Sequence, residues 1–221
     1  MGNKTKPIKD PKDLKKIKDW LKENNLVVYV YSQVALGTGY RVGDLVKISV
    51  GETREALLKG YFNVIEQKKT NKKRTDIKRK KGKEYCEERF KVTLVPRKAI
   101  VKDNLKVMLE EYIKDKKDWE YLFPSPTNRK KHIDPKQTCR VINKAAQECD
   151  VDICICNHGL RKTYGYIIYK NAIKQGKEAS YGLLLVQKMF CHSSPDITRS
   201  YIGLDEEEEE ESILAVDDYI G

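Results

Sequence analysis

Residues 68–83 restrict the fold more than any other stretch, because they hold ten Lys and Arg and only one acid, Asp76. A segment with this charge cannot lie in a hydrophobic core, so the core has to come from the parts of the chain on either side of it. The flanking residues Tyr61–Glu66 and Phe90–Val95 alternate apolar and polar side chains, as strands do. The basic segment is therefore predicted to be a solvated arm joining two strands.

The remaining charge is unevenly distributed. Residues 1–200 carry 44 Lys and Arg against 24 Asp and Glu, whereas residues 201–221 carry nine acids and no basic residue. A basic body with an acidic tail indicates a polyanionic partner, with nucleic acid as the first hypothesis and an anionic membrane surface as the second. For nucleic acid, the candidate contacts on the arm are Lys68, Lys72, Lys73, Arg74, Lys78, Arg79, Lys80 and Lys81.

No apolar stretch approaches the roughly 20 residues that span a bilayer, and the N-terminus has no apolar core of a signal peptide. The chain is therefore expected in the cytoplasm, associated with the nucleoid when it is bound to DNA. The cysteines are expected to be reduced thiols in that compartment. A zinc site at Cys154, Cys156, His158 and Cys191 is the alternative, although the spacing is poor for a structural site.

The pattern of apolar residues predicts a mainly helical chain. Helices are predicted from Pro11, over Leu26–Leu36, near Tyr40, over Ile100–Tyr112, from Pro135, over His158–Ala172, over Tyr181–Phe190 and from Pro195 to Tyr201. A short strand at Ile48–Val50 would join the two strands beside the arm. The predicted fold class is α+β, mainly α, with a small antiparallel three-stranded sheet. Residues 1–204 are predicted to form one domain, and residues 205–221 an acidic tail with a short apolar segment.

Six polar residues stand in compact motifs that are widely separated along the chain. Arg41 follows a glycine-rich helix boundary, and Lys69 follows the strand that precedes the arm. His158 and Arg161 are three residues apart and so share one face of a helix. His192 lies nine residues before Tyr201. Each residue alone has an ordinary structural interpretation, so the functional hypothesis depends on their joint order and spacing.

These motifs resemble those of the tyrosine recombinase (phage integrase) family, specifically its catalytic domain. The matching stretches are GTGYRVGDLVKI at 37–48, EQKKTNKKR at 66–74, HGLRKTYG at 158–165 and FCHSSPDITRSYIG at 190–203. The resemblance implies the fold of a DNA breaking-rejoining enzyme. It also implies DNA strand cleavage and rejoining through a 3′-phosphotyrosyl intermediate, with no metal and no cofactor.

The resemblance also implies a role for each of the six residues. Tyr201 would be the nucleophile, and Arg41 and Arg161 would hold the scissile phosphate. His158 would act as acid or base or as a phosphate ligand, Lys69 would protonate the leaving 5′ oxygen, and His192 would complete the pocket. The lysine assignment leaves Lys68 and Lys72 open as alternatives. The chemistry suits these residue types, because guanidiniums bind phosphate oxygens with charge-assisted hydrogen bonds and a phenol needs a proton acceptor to become a nucleophile.

The sequence departs from the family pattern at two places. Cys191 stands where the family usually has Gly, and it is interpreted as a tolerated small residue, with a redox-sensitive thiol beside the site as the alternative. Only about 25 residues precede Leu26, where the family commonly has a separate DNA-clamping domain. Either the chain is a fragment, for which DNA binding would be weak, or it is a short enzyme.

The resemblance implies double-stranded DNA as partner and a homo-oligomer, a tetramer on paired DNA sites. The apolar residues Ile213, Leu214 and Val216 of the tail could then pack on a neighbouring protomer, and a frayed tail is the alternative. Two other functions remain open. One is a catalytically silent DNA-binding accessory or regulatory protein, and the other is a type IB topoisomerase that acts on DNA of any sequence.

Overall fold

In the computed structural model the chain divides into two compact units. One consists of the residues up to 24 together with those from 139 onward, and the other of residues 25–138. The structure describes residues 5–216 and, within that range, every side chain except those of residues 69, 83, 206, 207, 210 and 211. The last five residues of the predicted acidic tail, 217–221, lie outside the described part.

The described chain is mainly helical. Its elements, in order, are α1 (Pro11–Asn24), α2 (Leu26–Thr38), α3 (Val42–Leu45), α4 (Val50–Lys59), β1 (Tyr61–Val64), α5 (Gln67–Lys81), a 3-10 turn (Gly82–Glu84), α6 (Glu87–Val92), β2 (Arg97–Ile100), α7 (Asp103–Ile113), α8 (Pro135–Glu148), α9 (Asn157–Lys174), α10 (Ala179–Phe190), α11 (Pro195–Tyr201) and α12 (Leu204–Leu214). No helix among residues 5–216 has the length and apolar character needed to cross a bilayer.

The unit of residues 25–138 is built around α2, which is apolar on all sides. Asn25 caps its N-terminus by accepting a hydrogen bond from the Val28 backbone N–H, and Gly39 ends it in the left-handed conformation, with φ of 60°. Tyr31 on α2 is fully buried and packs edge-on against Phe123, with 5.3 Å between ring centroids. A helix that is hydrophobic all round has to be buried, and the run from Leu26 to Leu36 predicts this helix correctly.

The sheet has two antiparallel strands, and the predicted three-stranded sheet is wrong. β1 pairs with β2 in the register Tyr61↔Ile100 to Val64↔Arg97. The alternating run Phe90–Val95 is not a strand: its first part lies in α6, and Val92 and Val95 are each 87% exposed. The strand begins after Pro96 instead. The Tyr40 hydroxyl lies 2.6 Å from the Arg97 carbonyl and 3.2 Å from that of Phe62, a tertiary contact that fixes the pairing.

The predicted strand at Ile48–Val50 is also wrong, because Ser49 begins helix α4. The Ser49 side chain accepts a hydrogen bond from the Glu52 N–H, and the Glu52 carboxylate accepts one from the Ser49 N–H. This reciprocal capping box satisfies two of the donors that a helix N-terminus leaves without partners. Ser49 also forms an isolated antiparallel bridge with Tyr121.

The basic arm is helical and does not form the predicted strand-to-strand hairpin. Lys and Arg have high helix propensity, and α5 runs for 15 residues from Gln67 to Lys81. Arg74 joins it to α6 through an ion pair with Glu87 at 3.0 Å and lies 5.2 Å from the centroid of the Phe90 ring. Lys73 donates to the Thr93 carbonyl at 2.9 Å. These contacts hold a strongly basic helix against the segment that follows it.

The other unit packs the C-terminal helices around α9. Its core includes Tyr164 and Tyr166 of α9, Phe190 of α10 and Ile202 just after α11. Gly165 makes this packing possible. A Cβ atom at that position would lie 2.8 Å from Phe190 Cε2 and 2.9 Å from Ile202 Cγ2, closer than carbon atoms can approach. The α9 backbone therefore approaches the ring of Phe190 directly.

The same unit contains a disulfide between Cys139 of α8 and Cys156, the N-cap residue of α9, so the expectation that all cysteines are thiols is wrong for this pair. The two Cα atoms are 4.6 Å apart. A hydrogen bond from the Ile155 N–H to the Asn143 Oδ1, at 3.0 Å, holds the connecting loop against α8. Two cysteines 17 residues apart, with no CxxC spacing, do not indicate this pairing in the sequence.

Candidate active site

Helix α9 carries two of the predicted residues near its N-terminus. His158 lies in the first turn and is exposed, whereas Arg161, one turn later, is 3% exposed. The Arg161 guanidinium carbon lies 4.2 Å from the centroid of the Phe190 ring. Phe190 is the last residue of α10. A guanidinium over an aromatic face is held by a cation–π attraction. Phe190 therefore helps to define the position of Arg161.

His192 is placed by the turn that ends α10. Cys191 caps this helix in the left-handed conformation, with φ of 52° and ψ of 50°. The His192 N–H donates to the Gln187 carbonyl at 3.1 Å, which closes the turn. This conformation favours glycine, because a Cβ atom in the left-handed region meets the following backbone. The backbone thus gives the physical reason for the glycine expected at this place, and Cys191 tolerates it.

Tyr201 lies at the C-terminal end of α11. Ser194 caps the start of this helix by accepting from the Ile197 N–H, and Pro195 occupies its first turn. Thr198 is fully buried one turn before Tyr201, and its Oγ1 lies 3.0 Å from His192 Nδ1. The helix that presents Tyr201 therefore also orients His192.

The structure brings four of the six predicted residues together in this unit. The Tyr201 hydroxyl lies 3.4 Å from His158 Nδ1. The Tyr201 ring centroid is 4.9 Å from that of His158, 4.8 Å from that of His192 and 5.4 Å from that of Phe190. Arg161 joins the group through Phe190. A half-buried phenol beside two imidazoles has proton acceptors within reach, as a tyrosine nucleophile requires.

Arg41 lies in the unit of residues 25–138, where it occupies the N-cap position of α3. Its Nη1 is 2.6 Å from Oε1 of Glu66, a carboxylate whose side chain is only 3% exposed. Arg97 is the second cation at this carboxylate, at 3.7 Å, and its guanidinium also donates to the carbonyls of Thr38 and Gly39. Arg41 is thus a partly exposed guanidinium with a fixed orientation.

Lys69 is the third residue of α5, directly after the connection from β1. Its side chain is outside those that the structure describes. Of its alternatives, Lys68 and Lys72 are both exposed on the same helix.

Sequence reasoning missed four residues of this arrangement: Phe190, Lys162, Thr198 and Glu66. Phe190 and Thr198 stand inside the motif that contains His192, and Lys162 directly follows Arg161. The types of these three side chains do not by themselves indicate a functional site. Only their nearness in sequence to the motifs of His158, Arg161 and His192 could have pointed to them. Glu66 precedes Lys69 by three residues and gives no chemical signal of its own.

The described residues contain no group of three or more His, Cys, Asp or Glu side chains placed to hold a metal ion. The alternative zinc set loses one member, because Cys156 is bonded to Cys139.

Comparison with known proteins identifies a matching family and similar recombinases. The Phage integrase family matches residues 9–208. The chain belongs to the phage integrase family. The "Probable integrase/recombinase YoeC" of Bacillus subtilis (strain 168) is 29% identical over 201 residues, which cover 91% of each chain. The resemblance to the tyrosine recombinases is therefore confirmed.

Solved recombinase structures share the fold of this family member. The XerA recombinase matches with a TM-score of 0.60 at 16% identity, covering 96% of this chain and 65% of that one. A lambda integrase dimer bound to a COC′ core site matches with a TM-score of 0.59 at 14% identity, covering 91% of this chain and 49% of that one. This chain thus spans less than two thirds of either solved chain. The mainly helical fold with a small antiparallel sheet is confirmed.

Proposed function

We propose that this protein is a site-specific DNA recombinase that cleaves and rejoins DNA strands through a covalent 3′-phosphotyrosyl bond to Tyr201. The observation that carries the proposal is the position of the Tyr201 hydroxyl, 3.4 Å from His158 Nδ1 and next to the His192 ring. Membership of the phage integrase family and the recombinase fold support it.

The proposed reaction exchanges one phosphodiester for another. The Tyr201 oxygen attacks phosphorus and forms a P–O bond, while the bond from phosphorus to the 5′ oxygen breaks. His158 accepts the phenol proton, and Lys69 gives a proton to the departing 5′ oxygen. Attack of a 5′ hydroxyl on the phosphotyrosine releases Tyr201 and forms a new phosphodiester. The original hydroxyl restores the substrate strand, and one from a partner duplex completes strand exchange. Because each step conserves the number of phosphoester bonds, no nucleotide cofactor is consumed.

Three further residues act on the phosphate in this proposal. Arg41 and Arg161 neutralise the negative charge that builds up on the non-bridging oxygens in the pentavalent transition state. Arg remains charged at any working pH, so the two guanidiniums can supply this charge without a metal ion. His192 donates a further hydrogen bond, with its ring held by Thr198.

Helix α5 is proposed to contact the DNA backbone, and its cations divide into two groups. Lys73, Arg74 and Lys78 face the following segment, where Lys78 lies 4.8 Å from the Tyr85 ring centroid. Lys73 and Lys78 are exposed, and so are Lys68, Lys72 and Arg79, whose spacings of four and seven residues place them along one separate stripe of the helix. Lys80 and Lys81 are exposed at its end. We assign phosphate contacts to this second group first.

Capture of the covalent adduct tests the chemistry. Binding sites are first selected with the protein from a random duplex library. The enriched site is then synthesised with a nick close to the cleavage position, so that the short fragment carrying the new 5′ hydroxyl diffuses away and cannot reverse the reaction. Wild-type protein should accumulate a denaturant-resistant adduct at a 3′ phosphate. Tyr201→Phe should form none while it binds DNA nearly as tightly. Tyr181→Phe is the matched control, because this exposed tyrosine of α10 is 52% accessible and should react like the wild type.

Each other outcome rejects the proposal in favour of a specific alternative. An adduct with Tyr201→Phe would mean that another residue is the nucleophile. Binding without an adduct in the wild type would indicate an accessory DNA-binding protein. Relaxation of a supercoiled plasmid that lacks the selected site would indicate a type IB topoisomerase.

The salt dependence of binding tests the assignment of α5. Removal of one phosphate-binding cation should reduce the slope of log K against log salt by about 0.9. Replacing Lys68, Lys72 and Arg79 by Gln should therefore reduce it by about 2.7. The control removes the same charge from α1, where Lys12, Lys15 and Lys22 are exposed. Equal changes in the two triple variants would mean that α5 contributes only net charge.

We further propose that residues 1–204 act as the catalytic domain and residues 205–221 as a tail, and that four protomers assemble on paired DNA sites. A solved lambda integrase tetramer bound to a Holliday junction, which matches with a TM-score of 0.54, supports the assembly.

Arg199 of α11 forms ion pairs with Asp205 and Glu208, so the tail neutralises a cation near Tyr201. Deletion of residues 205–221 should tighten non-specific DNA binding. Unchanged binding would reject this masking role, and sedimentation on paired sites would test the tetramer.

A further inference from the structure

Lys162 is a buried lysine next to the proposed nucleophile. It is 7% exposed, and it lies on α9 directly after Arg161. Its Nζ donates to the Thr5 carbonyl at 2.8 Å and lies 5.6 Å from the centroid of the Tyr201 ring. Lysines are rarely buried, because removing an ammonium from water is costly unless the new surroundings interact strongly with it. The carbonyl of Thr5 and the π face of Tyr201 are two such interactions.

We propose that Lys162 is a positioning residue for Tyr201: its ammonium, anchored by the Thr5 carbonyl, holds the phenol ring in place for attack and stabilises the negative charge that develops on its oxygen. This inference rests on the proposed function, because it assigns a role within the same reaction. A cation within about 6 Å of an aromatic centroid is attracted to the ring, and the attraction grows as the ring becomes phenolate.

The groups around Tyr201 define what Lys162 adds. His158 and Lys162 are four residues apart on α9, so both lie on the face of the helix toward the Tyr201 ring. His192 faces the ring from the turn after α10, and Phe190 from the end of that helix. In the proposed reaction His158 accepts the phenol proton and His192 donates a hydrogen bond. Among these neighbours Lys162 is the group that carries a lasting positive charge.

The segment before α1 fixes the ammonium. Besides the Thr5 contact, the Ile8 N–H donates to Thr163 Oγ1 at 2.8 Å. A Cβ atom at Gly159 would lie 2.9 Å from the Lys6 carbonyl, so the glycine lets this segment lie against α9. Lys9 Nζ donates to the Gly203 carbonyl at 2.7 Å, two residues after Tyr201. Residues 5–9 therefore contact both α9 and the turn that follows α11.

Three substitutions separate the charge of Lys162 from its anchoring role. Lys162→Met removes the charge and keeps the length of the side chain. Lys162→Gln also removes the charge but retains a donor for the Thr5 carbonyl. Lys162→Arg retains the charge. Adduct formation on the nicked substrate is measured in single turnover, together with DNA affinity and the thermal midpoint of unfolding.

We expect Lys162→Met and Lys162→Gln to slow adduct formation by about threefold to thirtyfold, the range that a cation–π contact supports. Lys162→Arg should recover most of the rate, and DNA affinity should stay within about twofold for all three variants. Equal rates for Lys162→Met, Lys162→Gln and the wild type would overturn the proposal. Slow reaction of Lys162→Met and Lys162→Arg together with full activity of Lys162→Gln would also overturn it, because the Thr5 anchor alone would then matter.

A second substrate excludes a role in protonating the leaving group. A sulfur atom in place of the 5′ bridging oxygen leaves without protonation, so it should restore a variant that lacks the acid, such as Lys69→Ala. The defect of Lys162→Met should persist on this substrate, and its restoration would overturn the proposal. Absence of an adduct in the wild type on either substrate would instead reject the proposed function itself, which keeps the two failures distinct.

Discussion

Nη1 of Arg41 lies 2.6 Å from Oε1 of Glu66, and this carboxylate is almost completely removed from solvent. Arg97 approaches the same oxygen at 3.7 Å and binds the end of α2. The orientation of Arg41 therefore depends on a residue that belongs to the connection between β1 and α5. Removal of that carboxylate is expected to affect both the stability of the protein and the reaction.

Glu66→Gln should lower the free energy of unfolding by about 3 kcal/mol, because removal of one partner leaves buried charge without compensation. The decrease should be at the lower end of the usual range, since Arg41 is 26% exposed. The substitution should also slow adduct formation, because Arg41 no longer has a fixed orientation. Urea unfolding and the nicked-substrate assay measure the two effects.

Glu55→Gln is the matched control for this change. Glu55 forms an exposed ion pair with Lys59 on α4, and exposed pairs contribute at most about 1 kcal/mol. If Glu66→Gln were as stable and as active as Glu55→Gln, Glu66 would have no role in orienting Arg41.

Thr198→Val should weaken the orientation of His192. The Thr198 Oγ1 lies 3.0 Å from His192 Nδ1, and valine fills the same volume without the hydroxyl. We expect adduct formation to fall severalfold and stability to fall by about 2 kcal/mol, because the hydroxyl also donates to the Ser194 carbonyl at 3.3 Å and each hydrogen bond contributes about 1 kcal/mol. Thr198→Ser keeps the hydroxyl and should retain most of the activity. Full activity of the valine variant would mean that His192 is held by other contacts.

Cys191→Gly should stabilise the protein by about 1 kcal/mol, because glycine adopts the left-handed conformation at φ of 52° without the steric penalty of a Cβ atom. Adduct formation should be retained, since no proposed reaction step uses the thiol. Cys191→Ala separates the two contributions: it removes the thiol but keeps the Cβ atom. Equal stability of the glycine and alanine variants would contradict the backbone explanation.

The sequence predicts those parts of the structure that depend on contacts between residues close together in the chain, and fails where the contacts join distant residues. The helices at Pro11, Leu26, Pro135, Asn157 and Pro195 follow from apolar spacing and local caps, and all of them form. The predicted strand at 90–95 is wrong, because β1 pairs with residues 97–100 instead and the first part of the alternating run lies in α6. Pairing of β1 with residues 97–100 depends on contacts from Tyr40 that are distant in sequence.

The candidate site shows the same difference between local patterns, which the sequence reveals, and long-range contacts, which it does not. His158 and Arg161 share a helix, and His192 and Tyr201 share a short motif, so their local geometry follows from spacing. The association of Phe190 with Arg161 and of Lys162 with Tyr201 requires the packing of α9 against α10 and α11. No local pattern encodes these contacts, so they are visible only in the folded chain.

The Cys139–Cys156 disulfide predicts a specific count of reactive thiols. Alkylation of the denatured, unreduced protein should modify Cys86, Cys149, Cys154 and Cys191 and spare the bonded pair. Cys139→Ser should lower the free energy of unfolding by about 3 kcal/mol, the value expected for a loop of this length. Cys156→Ser should lower it equally, and the two changes together should cost no more than either alone. Modification of all six cysteines by mass spectrometry would contradict the pairing.

Gly165→Ala should disturb the site through Phe190. The new methyl group would lie 2.8 Å from the Phe190 ring and 2.9 Å from Ile202, so the ring has to move, and the Phe190 ring contacts Arg161, His192 and Tyr201. Overpacking of this kind costs about 1–3 kcal/mol, and adduct formation should slow as well. Gly182→Ala on α10 is the control, because its nearest neighbour is a Tyr169 ring atom at 3.1 Å and its effect should be smaller.

Adding Phe190→Leu to Gly165→Ala separates the overlap from the role of the ring. The double variant should recover part of the stability of the wild type without recovering its rate of adduct formation, because leucine relieves the overlap but offers Arg161 no aromatic face. Urea unfolding and the nicked-substrate assay measure the two quantities on the same preparations. Recovery of both in the double variant would show that the ring of Phe190 has no part in holding Arg161.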